Sequence, residues 1–403
     1  MHSVEEALEL VSKHTIPLPT HECDAVDALG SALAEDLISD SDSPMFDKAM
    51  MDGYAVIAAD LADGPANLEV VAEIAAGVTT DEVIRPGTCA RIMTGAPMPP
   101  GADSVALVEN SQIDSENVYR VTITQSISAG KNVLKKGALL SQGQIVLSAG
   151  SLIRPIEVGI LSDMAKGKAT VHQSPSISII STGDELVEAG QETGPGQIRN
   201  SNGPMLEAMA REAGATVTQL GIVRDQRADL ADAISKGLES DIMILSGGVS
   251  SGVLDLVPSE LSAHGVEQIF HKVCIKPGKP LWFGKRVEGD KTTLVFGLPG
   301  NPVSSLVCFH LFVRRALNRL MGRADTPLYV PGFQLTRDFV NEGDRPVYFP
   351  AMACRKEGAG ATISPLNWKG SADLATLAMA NSLASFAPNT QYEAGQFISA
   401  VMV

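Results

Sequence analysis

At 403 residues, with 44% hydrophobic and 19% charged positions, the chain exceeds the ~250 to 300 residues at which one core stops growing, so about two to four domains are expected and a disordered or fibrous class is excluded. The 47 acidic and 31 basic residues give a net charge of −16 with His neutral, which argues against nucleic acid and anionic membranes as partners; 4% aromatic residues leave little for base stacking. Five cysteines without a C-x-x-C pair, and acids at Glu5 and Glu6 where a signal peptide needs bases, point to a reduced, cytoplasmic setting with no membrane segment.

In chain order, residues 3–12 place Val4, Ala7, Leu8 and Val11 on one helical face behind Ser3, and Glu6 completes a capping box. From about 44 to 143 the pattern changes to short β-branched runs at 68–72, 104–108 and 118–124 between Gly and Pro turns, which predicts a small β domain. A helix is expected again at 155–164. Strand and helix then alternate: strands at 176–181, 216–223, 241–246 and 293–297, helices near 204–213, 228–238, 256–264 and 302–321. That alternation predicts a doubly wound α/β unit. After 323 the chain is strand-rich again and ends in a strand at 397–403, so a last β domain is expected from near 326.

In a parallel sheet the ligand lies outside the carboxyl ends of the strands, which makes the residues after each strand the candidates. Four segments qualify, and all four are expected on one edge: Ser181-Thr182-Gly183-Asp184-Glu185-Leu186, Val223-Arg224-Asp225, the stretch from Ser246 to Asp255, and Gly297-Leu298-Pro299-Gly300-Asn301-Pro302. The third offers Ser246, Gly247, Gly248 and Ser250, whose hydroxyls and backbone N–H groups can approach an anion unobstructed; the same string also reads as an ordinary strand-to-helix loop. In the fourth, Asn301 is expected to cap a helix that begins at Pro302, with free N–H groups that face an anion or simply start the helix.

Glu185, Asp225 and Asp255 would gather carboxylates at that edge, and Mg²⁺ reconciles them with a phosphate because it binds both kinds of oxygen. Singly, each acid also reads as a turn or capping residue. Lys276 and Lys279 flank a stiff Pro-Gly turn with Lys272 just before it, an arrangement that suits an oxyanion, though solvated lysines are the plainer reading. Asp52 and Thr94 stand beside glycines in the early β region and can present oxygens or merely stabilise turns. The seven histidines show no metal-ligand spacing, and no Ser/His/Asp order suggests a hydrolase.

The strings M-D-G-Y-A (51–55), R-I-M-T-G-A-P (91–97), S-T-G-D-E-L (181–186), S-G-G-V-S (246–250), I-K-P-G-K-P (275–280) and G-L-P-G-N-P-V-S (297–304) occur in order over most of the chain. Together they resemble the MoeA family, also represented by the C-terminal domain of gephyrin. The resemblance implies an elongated homodimer of subunits with a central doubly wound, MogA-like α/β domain at 172–323, flanked by β domains at 44–143 and 324–403 and by a discontinuous domain of 1–43 with 144–171. It implies a molybdopterin molybdenumtransferase that inserts molybdate into adenylylated molybdopterin with Mg²⁺ as cofactor and releases AMP, in transient contact with the adenylyltransferase and with acceptor apoenzymes.

By motif match, Asp52, Thr94, Glu185, Asp225, Asp255, Lys272 and Lys276 fall on catalytic positions of the family, with Glu185, Asp225 and Asp255 as the metal ligands. Ser246, Gly247, Gly248, Ser250, Lys279, Pro299, Gly300 and Asn301 fall on binding positions, and Arg345 and Ser371 match in the last domain. In the implied dimer, Asp52 and Thr94 of one subunit face the α/β domain of the other. Two departures stand out: Leu139 replaces an acid in the Gly137-Ala138-Leu139 turn, and Pro258 ends a string, Asp255-Leu256-Val257-Pro258, that carries Lys in the family. They carry the alternative of a pterin-binding scaffold with weak turnover.

Overall fold

The computed structural model describes residues 1–164, 167–248, 256–324, 327–355 and 360–403. Contacts divide the chain into two compact units, one built from Met1–Glu35, Ala149–Ser162 and Gly167–Val403, the other on Asp36–Ser148.

In the Asp36–Ser148 unit the β-branched runs pair into a six-stranded sheet, ordered Ser104–Leu107, Gly53–Val56, Thr88–Ile92, Ala66–Ile74, Arg120–Ile123, Ser111–Ile113. Strand alternation sends Ala55, Ile74, Ala90 and Ile92 into one apolar cluster and Tyr54, Val56, Leu68 and Cys89 into another. Gly53 permits the close strand approach: a Cβ there would stand 1.8 Å from the carbonyl oxygen of Ala106.

In the larger unit, helix Val4–His14 starts as expected. The Ser3 hydroxyl accepts from the Glu6 N–H while the Glu6 carboxylate accepts from the Ser3 N–H, and Val4, Ala7 and Val11 are buried. The central sheet has six strands: β1 (Ser176–Thr182), β2 (Thr216–Val223), β3 (Ile242–Ser246), β4 (Glu267–His271), β5 (Trp282–Glu288) and β6 (Lys291–Leu298), in the order β2-β1-β3-β6-β5-β4. The first four in that order run parallel, and β5 and β4 add antiparallel at one edge.

Ile177, Ile179 and Ile244 pack with Leu206 of helix Asn202–Glu212 on one face. Ile180, Met243 and Leu245 pack with Leu230 and Leu261, from helices Arg227–Gly237 and Val257–Ala263, on the other. Burial on both faces is why these strands read as near-continuous apolar runs. Pro258 falls in the first turn of its helix, where a missing N–H costs nothing.

Strands β4 and β5 were not expected from the sequence. Glu267, Gln268, Lys285 and Arg286 break their apolar runs, as suits an edge with a solvent side. The helix expected at 302–321 is one run with a π turn inside it: Pro302–Cys308, Phe309–Val313 and Arg314–Leu320. Downstream, Val330–Leu335, Ala361–Pro365, Val347–Arg355, Ser382–Phe386 and Phe397–Met402 close into a five-stranded barrel around Phe333, Leu335, Ala351, Phe386 and Ile398. Among the described residues no helix is long and apolar enough to cross a membrane.

Candidate active site

The carboxyl ends of β1, β2, β3 and β6 open on a cleft of about 610 Å³ whose wall takes residues from all four segments singled out in the sequence. Register puts them there: Ser181 lies opposite Ser246, Thr182 opposite Val223, and Ser246 opposite Leu298, so the four loops begin at one level. The cleft sits where β2 and β3 leave β1 in opposite directions, the switch point of a doubly wound sheet. Another cavity, of about 440 Å³ beside His310 and Arg314, contains none of these strand-end loops.

Glu185 and Asp225 are both on the cleft wall, and the Asp225 N–H donates to Asp184 Oδ1 at 3.4 Å. Ser246, Gly247, Gly248, Pro299, Gly300 and Asn301 line it as well. Gly247 and Gly248 have φ of +97° and +63°, and added Cβ atoms would come within 2.5 Å of the Thr182 carbonyl oxygen and 2.8 Å of its Oγ1. Only glycine fits so close to β1, and the wall there is bare backbone. Ser250 and Asp255 lie outside the described residues. Among the described residues no group of three or more His, Cys, Asp and Glu is gathered as a metal site; of the expected trio, Glu185 and Asp225 share the cleft.

Asn301 holds the cap position of helix Pro302–Cys308, but its side chain makes no capping bond, contrary to expectation. The reason is a competing acceptor. The Val303 N–H, one of those such a cap would take, donates to the Ser371 carbonyl at 3.0 Å. One of the N–H groups expected to face an anion is thereby occupied, and Ser371 is brought beside the cleft, with Ala372 on its wall.

The lysine turn reaches the same edge through the two unforeseen strands. His271 pairs with Trp282 and Trp282 with Gly297, so the chain from Lys272 to Leu281 emerges beside the end of β6, and Pro280 lies on the cleft wall. Lys272 is half-buried with φ +73°, while Lys276 and Lys279 are exposed. Arg345 Nη1 donates to the Ile275 carbonyl at 2.9 Å, the Lys276 N–H donates to the Pro346 carbonyl, and the Tyr348 N–H donates to the Lys276 carbonyl. The barrel thus holds the Lys276 backbone from behind.

Asp52 and Thr94 meet in the other unit. Gly53 pairs with Ile92 in antiparallel strands, so the turn before the first and the turn after the second lie at the same end. Asp52 Oδ1 accepts from both the backbone N–H and the hydroxyl of Thr94, each at 2.7 Å. The Thr94 N–H and then its hydroxyl hold the Asp52 carboxyl below the usual carboxylate range, because both donors favour the ionised form. With the folded pKa below the unfolded one, the contribution to stability is present above the unfolded pKa and is lost as pH falls through the folded one. Thr94→Val keeps the N–H and removes the hydroxyl, so the Asp52 pKa is expected to rise part of the way to its ordinary range. Carboxyl-carbon NMR titration checks this, and an unmoved pKa would refute it.

The sequence reading did not single out Arg199, Asn200 and Asn202, which line the cleft, nor Thr182 as a site residue in its own right. The available signal was a polar run, Arg199-Asn200-Ser201-Asn202, leading into a helix on the sheet's ligand edge.

Residues 2–165 match the family described as MoeA N-terminal region (domain I and II), and residues 178–319 match the one described as probable molybdopterin binding domain. Two solved MoeA proteins of molybdopterin biosynthesis from Pyrococcus horikoshii superpose along the chain: one at TM-score 0.84 and 26% identity, covering 100% of both chains, the other at 0.82 and 30%, covering 99% of this chain and 98% of that one. A molybdopterin molybdenumtransferase of Staphylococcus epidermidis is 31% identical over 406 residues, spanning 99% of this chain and 95% of its own length. That identity, over nearly the full length of both chains, shows that the chain belongs to the molybdopterin molybdenumtransferase family.

Proposed function

We propose that this chain inserts molybdate into adenylylated molybdopterin with release of AMP, and that it acts as a homodimer of subunits divided at 1–43 with 144–171, 44–143, 172–323 and 324–403. The observation that carries this reading is the convergence on one sheet edge of two carboxylates, a glycine wall and a turn with three lysines.

The residues present fit Mg²⁺, since Glu185 and Asp225 put carboxylate oxygens on one wall and Mg²⁺ commonly takes one or two carboxylates beside substrate phosphates. The ion supplies charge compensation between those acids and the pyrophosphate. Asp255 completes the set in this reading. Gly247 and Gly248 let the phosphates approach backbone, and Lys272, Lys276 and Lys279 offset the charge of molybdate and phosphate. Arg345 acts on the Lys276 turn through the Ile275 carbonyl and is therefore a positioning residue. Asp52, held in place by its two hydrogen bonds from Thr94, joins the cleft of the partner subunit.

Purified protein given adenylylated molybdopterin, molybdate and Mg²⁺ is expected to release AMP. No release would sink the reading. The shared site has its own test: Asp52→Ala and Glu185→Ala homodimers should be inactive, and the isolated mixed dimer, with one site that keeps both acids, should regain about half of the parental rate.

A further inference from the structure

We infer that Asn202 is a recognition residue whose Oδ1 accepts a hydrogen bond from a ring N–H donor of the ligand in the cleft. The inference rests on the reading above that the cleft holds molybdopterin and its adenylyl group.

Asn202 opens helix Asn202–Glu212, stands on the cleft wall and is 8% exposed. Its Nδ2 donates to the Gly300 carbonyl at 2.7 Å and to Ser246 Oγ at 2.9 Å, tying the ends of β3 and β6 together. The Gly300 oxygen can only accept, so the nitrogen end of the amide must face it; turned over, the amide would set two acceptors against each other. The orientation of Oδ1 is thereby fixed, and that atom is buried without a hydrogen-bond partner. Thr182 Oγ1, beneath Gly247 and Gly248 on the same wall, is also buried and unpartnered.

Buried acceptors are normally satisfied, so two unsatisfied oxygens carried by residues of one cleft wall point to places that a ligand completes once the wall yields to admit its donor. The sign of the charge selects the ligand group. An amide oxygen repels phosphate, molybdate and dithiolene sulfur, none of which carries a proton to donate at neutral pH. The planar rings do, as do the ribose hydroxyls, which are the same in both members of the AMP probe pair below: the pterin presents N3–H beside its 2-amino group, and adenine presents its 6-amino group. Asn202 therefore reads ring identity while the glycines on the same wall face the anionic part.

Calorimetric titration of the full chain with two probe pairs tests this. One pair is 6-hydroxymethylpterin and its analogue methylated at N3 and fully on the 2-amino nitrogen; the other is AMP and its N6,N6-dimethyl analogue. Wild-type protein is expected to bind the unmethylated member of one pair at least about tenfold more tightly, and Asn202→Ala to reduce that preference to about twofold or less. The pair that responds identifies the ring. Loss of the Gly300 and Ser246 bonds in the variant weakens both members of a pair alike, so a structural role alone leaves the preference intact. A preference unchanged in Asn202→Ala, or absent from wild-type protein that binds both members, overturns this inference alone. Wild-type protein that binds neither unmethylated probe overturns the reading of the cleft as well.

Discussion

Glu185→Gln and Asp225→Asn are each expected to slow AMP release by about 10²- to 10³-fold, the usual cost of removing one electrostatic contact at a reacting phosphate. Stability should hardly change, because both side chains are exposed at a sheet edge and neither fills a core. Surface changes of this kind shift the melting temperature by only about 1–2 °C. The separation is diagnostic. A structural acid lowers rate and melting temperature together, whereas an acid that holds Mg²⁺ lowers the rate and raises the Mg²⁺ concentration needed for half of it. Rate measurements over a Mg²⁺ series, with thermal denaturation of the same samples, decide between them; parental rates at every Mg²⁺ concentration would remove these acids from the mechanism.

Gly247→Val carries the second large effect, and here stability and binding fall together. The residue has φ +97°, a conformation that β-branched side chains rarely adopt, and its new Cβ would stand 2.5 Å from the Thr182 carbonyl oxygen. That oxygen belongs to the backbone of β1 and cannot swing aside. A loss of about 2–3 kcal/mol in unfolding free energy is expected, with molybdopterin affinity reduced at least about tenfold because the wall at the head of β3 moves. Urea denaturation and calorimetry on one preparation measure both, and a variant as stable as the parent would show that the backbone here adapts freely.

Much of this was legible in the chain because local patterns carried it. The Ser3 and Glu6 capping box needs only four consecutive residues. The apolar runs of β1 and β3 and the turn residues after them announce buried parallel strands with loops at one edge, and the ordered motifs identified the family. What the sequence alone could not decide involved residues far apart in the chain. Strands β4 and β5 escaped notice because an edge tolerates charge, yet their pairing is what brings the lysine turn beside the end of β6, with Pro280 on the cleft wall. Asn301 had the residue type for a cap, but Ser371, 70 positions away, supplies the competing acceptor. Asn202 drew no attention in the sequence, where the helix was expected to begin near 204. Only the folded chain sets its amide between Ser246 and Gly300 and leaves Oδ1 without a partner, because hydrogen-bond satisfaction depends on which distant groups the tertiary structure brings within about 3 Å.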